Sequence, residues 1–120
     1  MRDYTLFLHD IIEAMEAIES FVKEMTFQEF EGDDRTASAV LKKLEIIGEA
    51  VKNLPDVVIE KYSDIPWDKM AGLRDRLVHA YWGTDFTIIW EAAKDIIPGI
   101  KPRFEKIYSE EKKINLKSSI

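Results

Sequence analysis

The 120-residue sequence predicts an all-α protein, an up-down four-helix bundle with one short extra helix. Apolar residues recur at spacings of three and four along most of the chain, which is the period of a helix with one buried face. No segment shows the two-residue alternation of a strand flanked by hairpin turns. The connectors between the helical stretches are short, so consecutive helices should pack as neighbours.

The first predicted helix covers residues 3–25, and a connector follows at 26–32. An aspartate at position 33 or 34 can accept hydrogen bonds from the free N–H groups that begin the second helix. That helix extends to about Asn53 and contains Gly48. Because glycine weakens a helix by about 1 kcal/mol relative to alanine, we expect a close approach to another helix at Gly48.

Proline and glycine divide the second half of the chain. Pro55 can begin the short extra helix, which ends at about Tyr62. Pro66 begins the next helix, and Gly83 ends it.

The last long helix begins after Gly83 and contains two prolines, Pro98 and Pro102. Each proline removes a backbone donor and crowds the preceding turn, so we expect a kink or a break near residue 97. Residues 110–120 are polar and should form a frayed tail, which leaves residues 1–109 as the single folded domain. The expected core stripe of this helix consists of Phe86, Ile89, Trp90, Ala93, Ile96, Ile97, Ile100, Phe104 and Ile107.

Charge is distributed unevenly along the chain. Residues 1–34 carry two basic and ten acidic side chains, whereas the remainder carries fifteen basic and thirteen acidic ones. A net charge of -6 provides no broad positive field of the kind that drives general nucleic-acid binding. We therefore expect no DNA binding, and any RNA contact must be local, through residues such as Lys69, Arg74 and Arg76.

The composition also narrows the location and the cofactors. The chain has no cysteine, no run of eighteen apolar residues and no signal-peptide core, which is typical of a soluble cytoplasmic protein outside the membrane. Its two histidines, His9 and His79, lie far apart in the sequence. We therefore expect neither a metal site nor another cofactor.

The residues best suited to chemistry lie near the end of the helix that starts at Pro66. Arg74 and Tyr81 are seven residues apart and share one line of the helix, whereas Asp75 and His79 are neighbours at a spacing of four. Arg74 and His79 diverge by about 140°, but the reach of arginine and a frayed last turn could let their heads converge. A permanent cation, a group that titrates near neutrality and a carboxylate suit phosphoryl chemistry.

Ordinary structural roles are also open for these residues. The triplet at 74–76 could be a solvated helix surface, and His79 could be a half-buried histidine without a chemical role. The aromatic residues Trp67, Tyr81, Trp82 and Trp90 fit a core or an interface better than a platform for stacking bases, because bundle helices need large apolar anchors.

The segment at 74–81, Arg-Asp-Arg-Leu-Val-His-Ala-Tyr, resembles the arginine–histidine signature of HEPN domains, and of their HepT-like toxin branch in particular. Residues 47–50, Ile-Gly-Glu-Ala, look like a segment of that family on an earlier helix, and residues 65–73 resemble its lead-in to the motif helix. The similarity extends over about residues 3–108. Asp75 departs from the asparagine that is frequent in HepT-like chains.

The resemblance implies a metal-independent endoribonuclease that works as a homodimer with the two motif helices facing each other. His79 would be the general acid or base, Arg74 would hold the phosphate, Asp75 would orient the imidazole, and Arg76 is a possible further phosphate contact. The products would be a 2′,3′-cyclic phosphate and a free 5′-OH, and no cofactor would be needed.

HepT-like proteins are toxins encoded beside a minimal nucleotidyltransferase, the MNT antitoxin. The resemblance therefore implies a type II-like toxin–antitoxin pair in which the antitoxin neutralises this chain, with Tyr81 as the acceptor of an AMP group. Two alternatives stay open from the sequence. One is a non-catalytic helical partner that binds substrate or nucleotide for a minimal nucleotidyltransferase, and the other is a structural bundle without an active site.

Overall fold

The computed structural model describes residues 3–82 and 85–118, which contain helices and turns and no strand. Within these ranges the described side chains exclude those of residues 74, 78, 80, 81, 117 and 118. The all-α prediction is confirmed for this part of the chain. Its elements are α1 (Tyr4–Val22), α2 (Phe27–Glu31), α3 (Asp34–Lys52), α4 (Asp56–Lys61), α5 (Trp67–Ala71), α6 (Leu73–Trp82), α7 (Phe86–Glu91), a π-helical segment (Ala92–Ile96) and α8 (Ile97–Ser118).

The long helix α1 packs against both α3 and α8. Tyr4, at the start of α1, donates a hydrogen bond of 2.7 Å to Glu111 near the end of α8. Glu19, near the end of α1, forms an ion pair with Lys101 near the start of α8. These contacts show that α1 and α8 run antiparallel.

The predicted buried stripes form the core where these helices meet. Completely buried side chains come from α1, α3 and the second half of the chain, and they include Leu8, Ile11, Met15, Ile18, Leu44, Ile47, Leu77, Ile89 and Phe104. No helix in the described ranges combines the length and the apolar character that crossing a bilayer requires.

The predicted connector at 26–32 contains the short helix α2. Thr26 begins it with a reciprocal cap, because its side chain accepts from the Glu29 N–H and the Glu29 carboxylate accepts from the Thr26 N–H. Phe30 of α2 is completely buried, with its ring centroid 5.2 Å from that of Trp90. The next predicted cap is confirmed at Asp33, whose carboxylate accepts from the Thr36 N–H at 3.0 Å.

The helix predicted from Pro66 to Gly83 is two helices in the described residues, α5 and α6, separated at Gly72. Gly72 has φ −88° and ψ 0°, well away from the ψ of about −42° of a regular α-helix. Its N–H still bonds to the Asp68 carbonyl at 3.1 Å, and its own carbonyl accepts from the Arg76 N–H at 3.3 Å. The third long helix of the predicted bundle is therefore a broken one.

The predicted break near residue 97 is confirmed as the π-helical segment at Ala92–Ile96, directly before α8. Pro98 has no N–H to give to the carbonyl of Lys94, four residues earlier, so the regular ladder cannot continue there. The wider turn also rotates the side chains that follow. Ile96, predicted to lie in the core, is 51% exposed, whereas Ile97 is buried.

The structure also corrects the expected frayed tail, because α8 continues through residues 110–118. Glu111 explains this extension. Its carboxylate is buried and accepts hydrogen bonds from the Tyr4 hydroxyl, the Tyr62 hydroxyl at 2.6 Å and the Lys61 ammonium at 2.8 Å. The end of α8 is thereby tied to α1 and to α4.

Candidate functional site

The candidate site lies on α6, and two leucines fix the orientation of that helix. Leu73 and Leu77, one turn apart, are 6% and 1% exposed and belong to the core. Because α-helical residues advance by about 100°, the positions farthest from these leucines must face away from the core.

Helix α3 approaches the break before α6 at Gly48, which is buried. A Cβ atom added at Gly48 would lie 3.4 Å from the carbonyl oxygens of both Met70 and Ala71, at the end of α5. The Cβ atom itself would only touch these carbonyls, whereas a branched side chain would press against them. The predicted close approach at Gly48 is confirmed, and it sets the position from which α6 starts.

The segment before α5 is anchored by Trp67, which is 7% exposed, as expected of a core residue. Its indole Nε1–H donates to the Tyr62 carbonyl at 3.0 Å, and its ring lies edge-on to that of Phe104 at 5.6 Å between centroids. One hydrogen bond and one aromatic contact therefore hold the segment that precedes the motif helix.

The exposed face of α6 carries Asp75, Arg76 and His79. Asp75 and His79 lie one turn apart, and Arg76 precedes His79 by three residues, so all three belong to one surface. His79 is therefore not the half-buried histidine that the sequence left open. The backbones of Arg74 and Tyr81 lie in the same helix, but their side chains fall outside the described residues.

Trp82 also lies on this face, although the sequence motif does not include it. It is 78% exposed, although it is a large aromatic residue that could have been placed in the core. A helical wheel contains the signal, because Trp82 lies about 160° from the mean direction of Leu73 and Leu77. The exposed face of α6 therefore combines His79 with an aromatic ring that another molecule could cover.

A second cluster of ligating side chains lies on α1, where His9, Asp10 and Glu13 place one donor atom each within 4.8 Å of one another. It is the only such group found in the described part of the chain. His9 Nδ1 lies 3.4 Å from a Glu13 oxygen, and its ring packs 5.9 Å from that of Tyr108. The contact of His9 with Glu13 and the ring contact with Tyr108 account for this arrangement without a ligand.

Comparisons with known proteins identify a family model and several relatives that are similar to this sequence. The sequence model of the HepT-like ribonucleases matches residues 11–107. A candidate RNase of Methanocaldococcus jannaschii is 47% identical over 109 residues, which is 91% of this chain and 90% of that protein. A protein of Thermococcus cleftensis named Probable ribonuclease HepT is 45% identical over 106 residues, 88% of this chain and 96% of its own. No solved structure gives a significant match.

The helical fold and the exposed histidine on α6 define an all-α protein that carries an arginine–histidine motif on one helix. Together with the match over most of its length, this assigns the family: the chain belongs to the HepT-like ribonucleases. The HEPN resemblance carried by residues 74–81 is thereby confirmed at the level of the family.

Proposed function

We propose that this chain is a HepT-like toxin, a metal-independent endoribonuclease of a toxin–antitoxin pair in the cytoplasm. The observation that carries the proposal is the exposure of His79 and Asp75 one turn apart on α6, in a chain that belongs to a ribonuclease family. A histidine that reaches solvent can exchange protons with a bound RNA, because an imidazole can both accept and donate a proton.

RNA supplies its own nucleophile, so the protein needs only to move protons and stabilise charge. A histidine base removes the proton from the 2′-OH, the 2′ oxygen attacks the phosphorus, and the bond to the 5′ oxygen breaks as an acid returns a proton to it. Arg74 binds the phosphate oxygens on which charge develops, and Asp75 orients the His79 imidazole. The products are a 2′,3′-cyclic phosphate and a free 5′-OH.

The same chemistry favours a homodimer. One chain brings a single histidine to the face of α6, whereas the reaction uses a base and an acid, so a two-fold axis beside His79 would supply the second group. The 78% exposure of Trp82 supports this arrangement, because a large aromatic ring beside the site is suited to burial in a subunit interface.

Control would come from a minimal nucleotidyltransferase antitoxin acting on Tyr81. The Tyr81 oxygen would attack the α-phosphorus of ATP, form a phosphodiester with AMP, and release pyrophosphate, while its proton goes to solvent. Tyr81 lies seven residues after Arg74 in α6, so their backbone positions share one line of the helix. The added phosphate and its bulk would then occupy the position of the substrate phosphate.

The test is cleavage of a structured RNA by the purified protein in excess EDTA, followed by analysis of the new ends. We expect cleavage to persist and the products to carry 2′,3′-cyclic phosphate and 5′-OH termini. A strict requirement for added metal, or 5′-phosphate ends, would reject this mechanism. The alternative of a non-catalytic nucleotide-binding partner, which the ten acidic residues among the first 34 favour, predicts no cleavage but measurable binding of ATP.

A further inference from the structure

An apolar groove of about 120 Å³ lies beside the candidate site, between the α5–α6 pair and the start of α8. Its floor consists of the buried residues Met70, Leu73 and Ile97, and Pro66, Ile96 and Ile100 form its more exposed edges. Ile96 is at this edge because the π-helical segment turns it out of the core. The irregular backbone before α8 therefore forms part of one edge of the groove.

Two cations line the same groove. Lys69 of α5 and Arg76 of α6 are both exposed, and neither forms an ion pair with another residue in the described ranges. The chain has a net charge of -6 because its first 34 residues are strongly acidic, so these two side chains supply local positive charge to a protein whose overall charge repels an anion.

The groove is close to the chemistry. Arg76 precedes His79 by three residues, which corresponds to about 60° around the helix and about 4.5 Å along its axis. If the scissile phosphate of a bound RNA lies at His79, the adjacent nucleotide would therefore lie beside Arg76. This separation of Arg76 and His79 is similar in size to the spacing of adjacent nucleotides. A ligand at Arg76 would therefore not be independent of a ligand at His79.

An apolar slot with cations along one edge is complementary to a nucleotide, whose base has apolar faces and whose phosphates are anionic. We propose, resting on the proposed function, that the groove is a subsite for one nucleobase of the RNA substrate next to the scissile phosphate. Arg76 and Lys69 contact the phosphates that flank this base, and Ile96 and Ile100 cover the base itself. Eight residues line the groove, whereas a stable protein interface involves about 20–30 residues on each side, so the small size favours a nucleotide over a protein partner.

The test uses an oligoribonucleotide that the protein cleaves at one position, together with a series in which a single abasic residue replaces each nucleotide in turn. We expect one position next to the cut to raise KM by about fivefold or more when its base is missing, with kcat nearly unchanged. The double variant Ile96→Ser/Ile100→Ser should lose that penalty, because the base no longer has a slot to fill.

Matched controls separate the groove from general effects. The double variant Val57→Ser/Leu116→Ser removes two apolar side chains that are 67% and 64% exposed elsewhere, and it should keep the full abasic penalty. Arg76→Gln should raise KM for every oligonucleotide and flatten the salt dependence of binding, whereas Lys106→Gln, on the exposed surface of α8, should not. An abasic penalty of equal size in both double variants would overturn the proposal.

Binding of the same oligonucleotides to the His79→Ala protein, measured by fluorescence anisotropy, distinguishes this proposal from the proposed function. A groove-dependent abasic penalty in binding without any cleavage by the wild type would leave the subsite standing and reject the nuclease. Cleavage without such a penalty would support the nuclease and reject the subsite. The absence of both binding and cleavage would reject the nuclease and the subsite together. A change of oligomeric state in the Ile96→Ser/Ile100→Ser variant would show instead that a second copy of the chain covers the groove.

Discussion

At the scale of single residues, Glu111 is a buried carboxylate that accepts several hydrogen bonds. Burial by itself would raise the pKa of its carboxyl group, but the hydrogen bonds from Lys61, Tyr62 and Tyr4 outweigh burial and lower that pKa below its ordinary value. Burial, together with the hydrogen bond to Glu111, raises the pKa of Tyr4 to about 12. The ionised carboxylate therefore stabilises the folded chain.

The first prediction concerns this carboxylate. Because its pKa is lower in the folded chain, its contribution is fully present above its ordinary pKa and is lost as the pH falls through the folded value. Glu111→Gln should lower stability by about 1.5–3 kcal/mol at pH 7. The difference in Tm between wild type and variant should narrow as the pH falls below about 4, and a difference that stays constant from pH 7 to pH 3 would contradict the assignment.

The second prediction concerns control through Tyr81. Tyr81→Phe keeps the ring but removes the acceptor oxygen, so the variant should retain most of its ribonuclease activity and escape the antitoxin. Intact-mass analysis after co-expression with the neighbouring nucleotidyltransferase should show added AMP on the wild type and none on the variant. An unmodified wild type, with Tyr81→Phe still neutralised, would mean that inhibition occurs by binding alone.

At the level of the elements, the contact between α3 and the α5–α6 break determines where the candidate site lies. The backbone of α3 approaches the Met70 and Ala71 carbonyls so closely that a Cβ atom at residue 48 would already be in contact with them. Displacement of this break would move Asp75 and His79 together, since both belong to α6.

The third prediction follows from this contact. Gly48→Val should destabilise the protein by about 1–3 kcal/mol through overpacking, and it should lower RNA cleavage more than its stability loss explains, because α6 shifts. Gly99→Val is the control, since a Cβ atom at Gly99 meets nothing within 4 Å. Thermal melts and cleavage rates measure both effects. Equal losses in the two variants would show that the close approach has no bearing on the site.

The sequence predicts the elements whose signals are local. Apolar periodicity and the Asp33 cap define α1 and α3, and proline places the irregularity before α8 correctly. The capping box that begins α2, Thr26 with Glu29, is also a local signal, although the apolar pattern predicts only a connector there. Two features involve residues that are distant in the sequence: the break at Gly72, where the backbone of α3 approaches at Gly48, and the extension of α8 held by Glu111. Pro98 predicts an irregularity but not a π-helical segment, so the outward turn of Ile96 could not be predicted from it.

For the candidate site, the sequence predicts which residues share α6 but not which of them reach solvent. Asp75, Arg76 and His79 are exposed because Leu73 and Leu77 turn toward the core. The exposure of Trp82 follows from the same orientation. The groove beside Arg76 could not be predicted, because it combines residues of α5 and α6 with residues around the π-helical segment.

For the whole molecule, the number of subunits decides whether a second histidine can reach the site. The fourth prediction is that the protein is a homodimer in solution with the exposed face of α6 at or beside the two-fold axis. Trp82→Ser should weaken the dimer, because it removes the largest exposed apolar side chain on this face. Light scattering at micromolar concentration gives the mass of both proteins. A wild type that is monomeric, or a variant whose dimer is unchanged, would contradict this arrangement.

The most direct test of the central claim compares the chain's two histidines. His79→Ala should reduce RNA cleavage by about 100-fold or more, because it removes the proposed acid–base group, while helicity and Tm stay close to those of the wild type. His9→Ala, at the ring contact with Tyr108 on α1, should cleave RNA at the wild-type rate. Cleavage by His79→Ala at the wild-type rate would contradict the account and remove the exposed face of α6 from the chemistry.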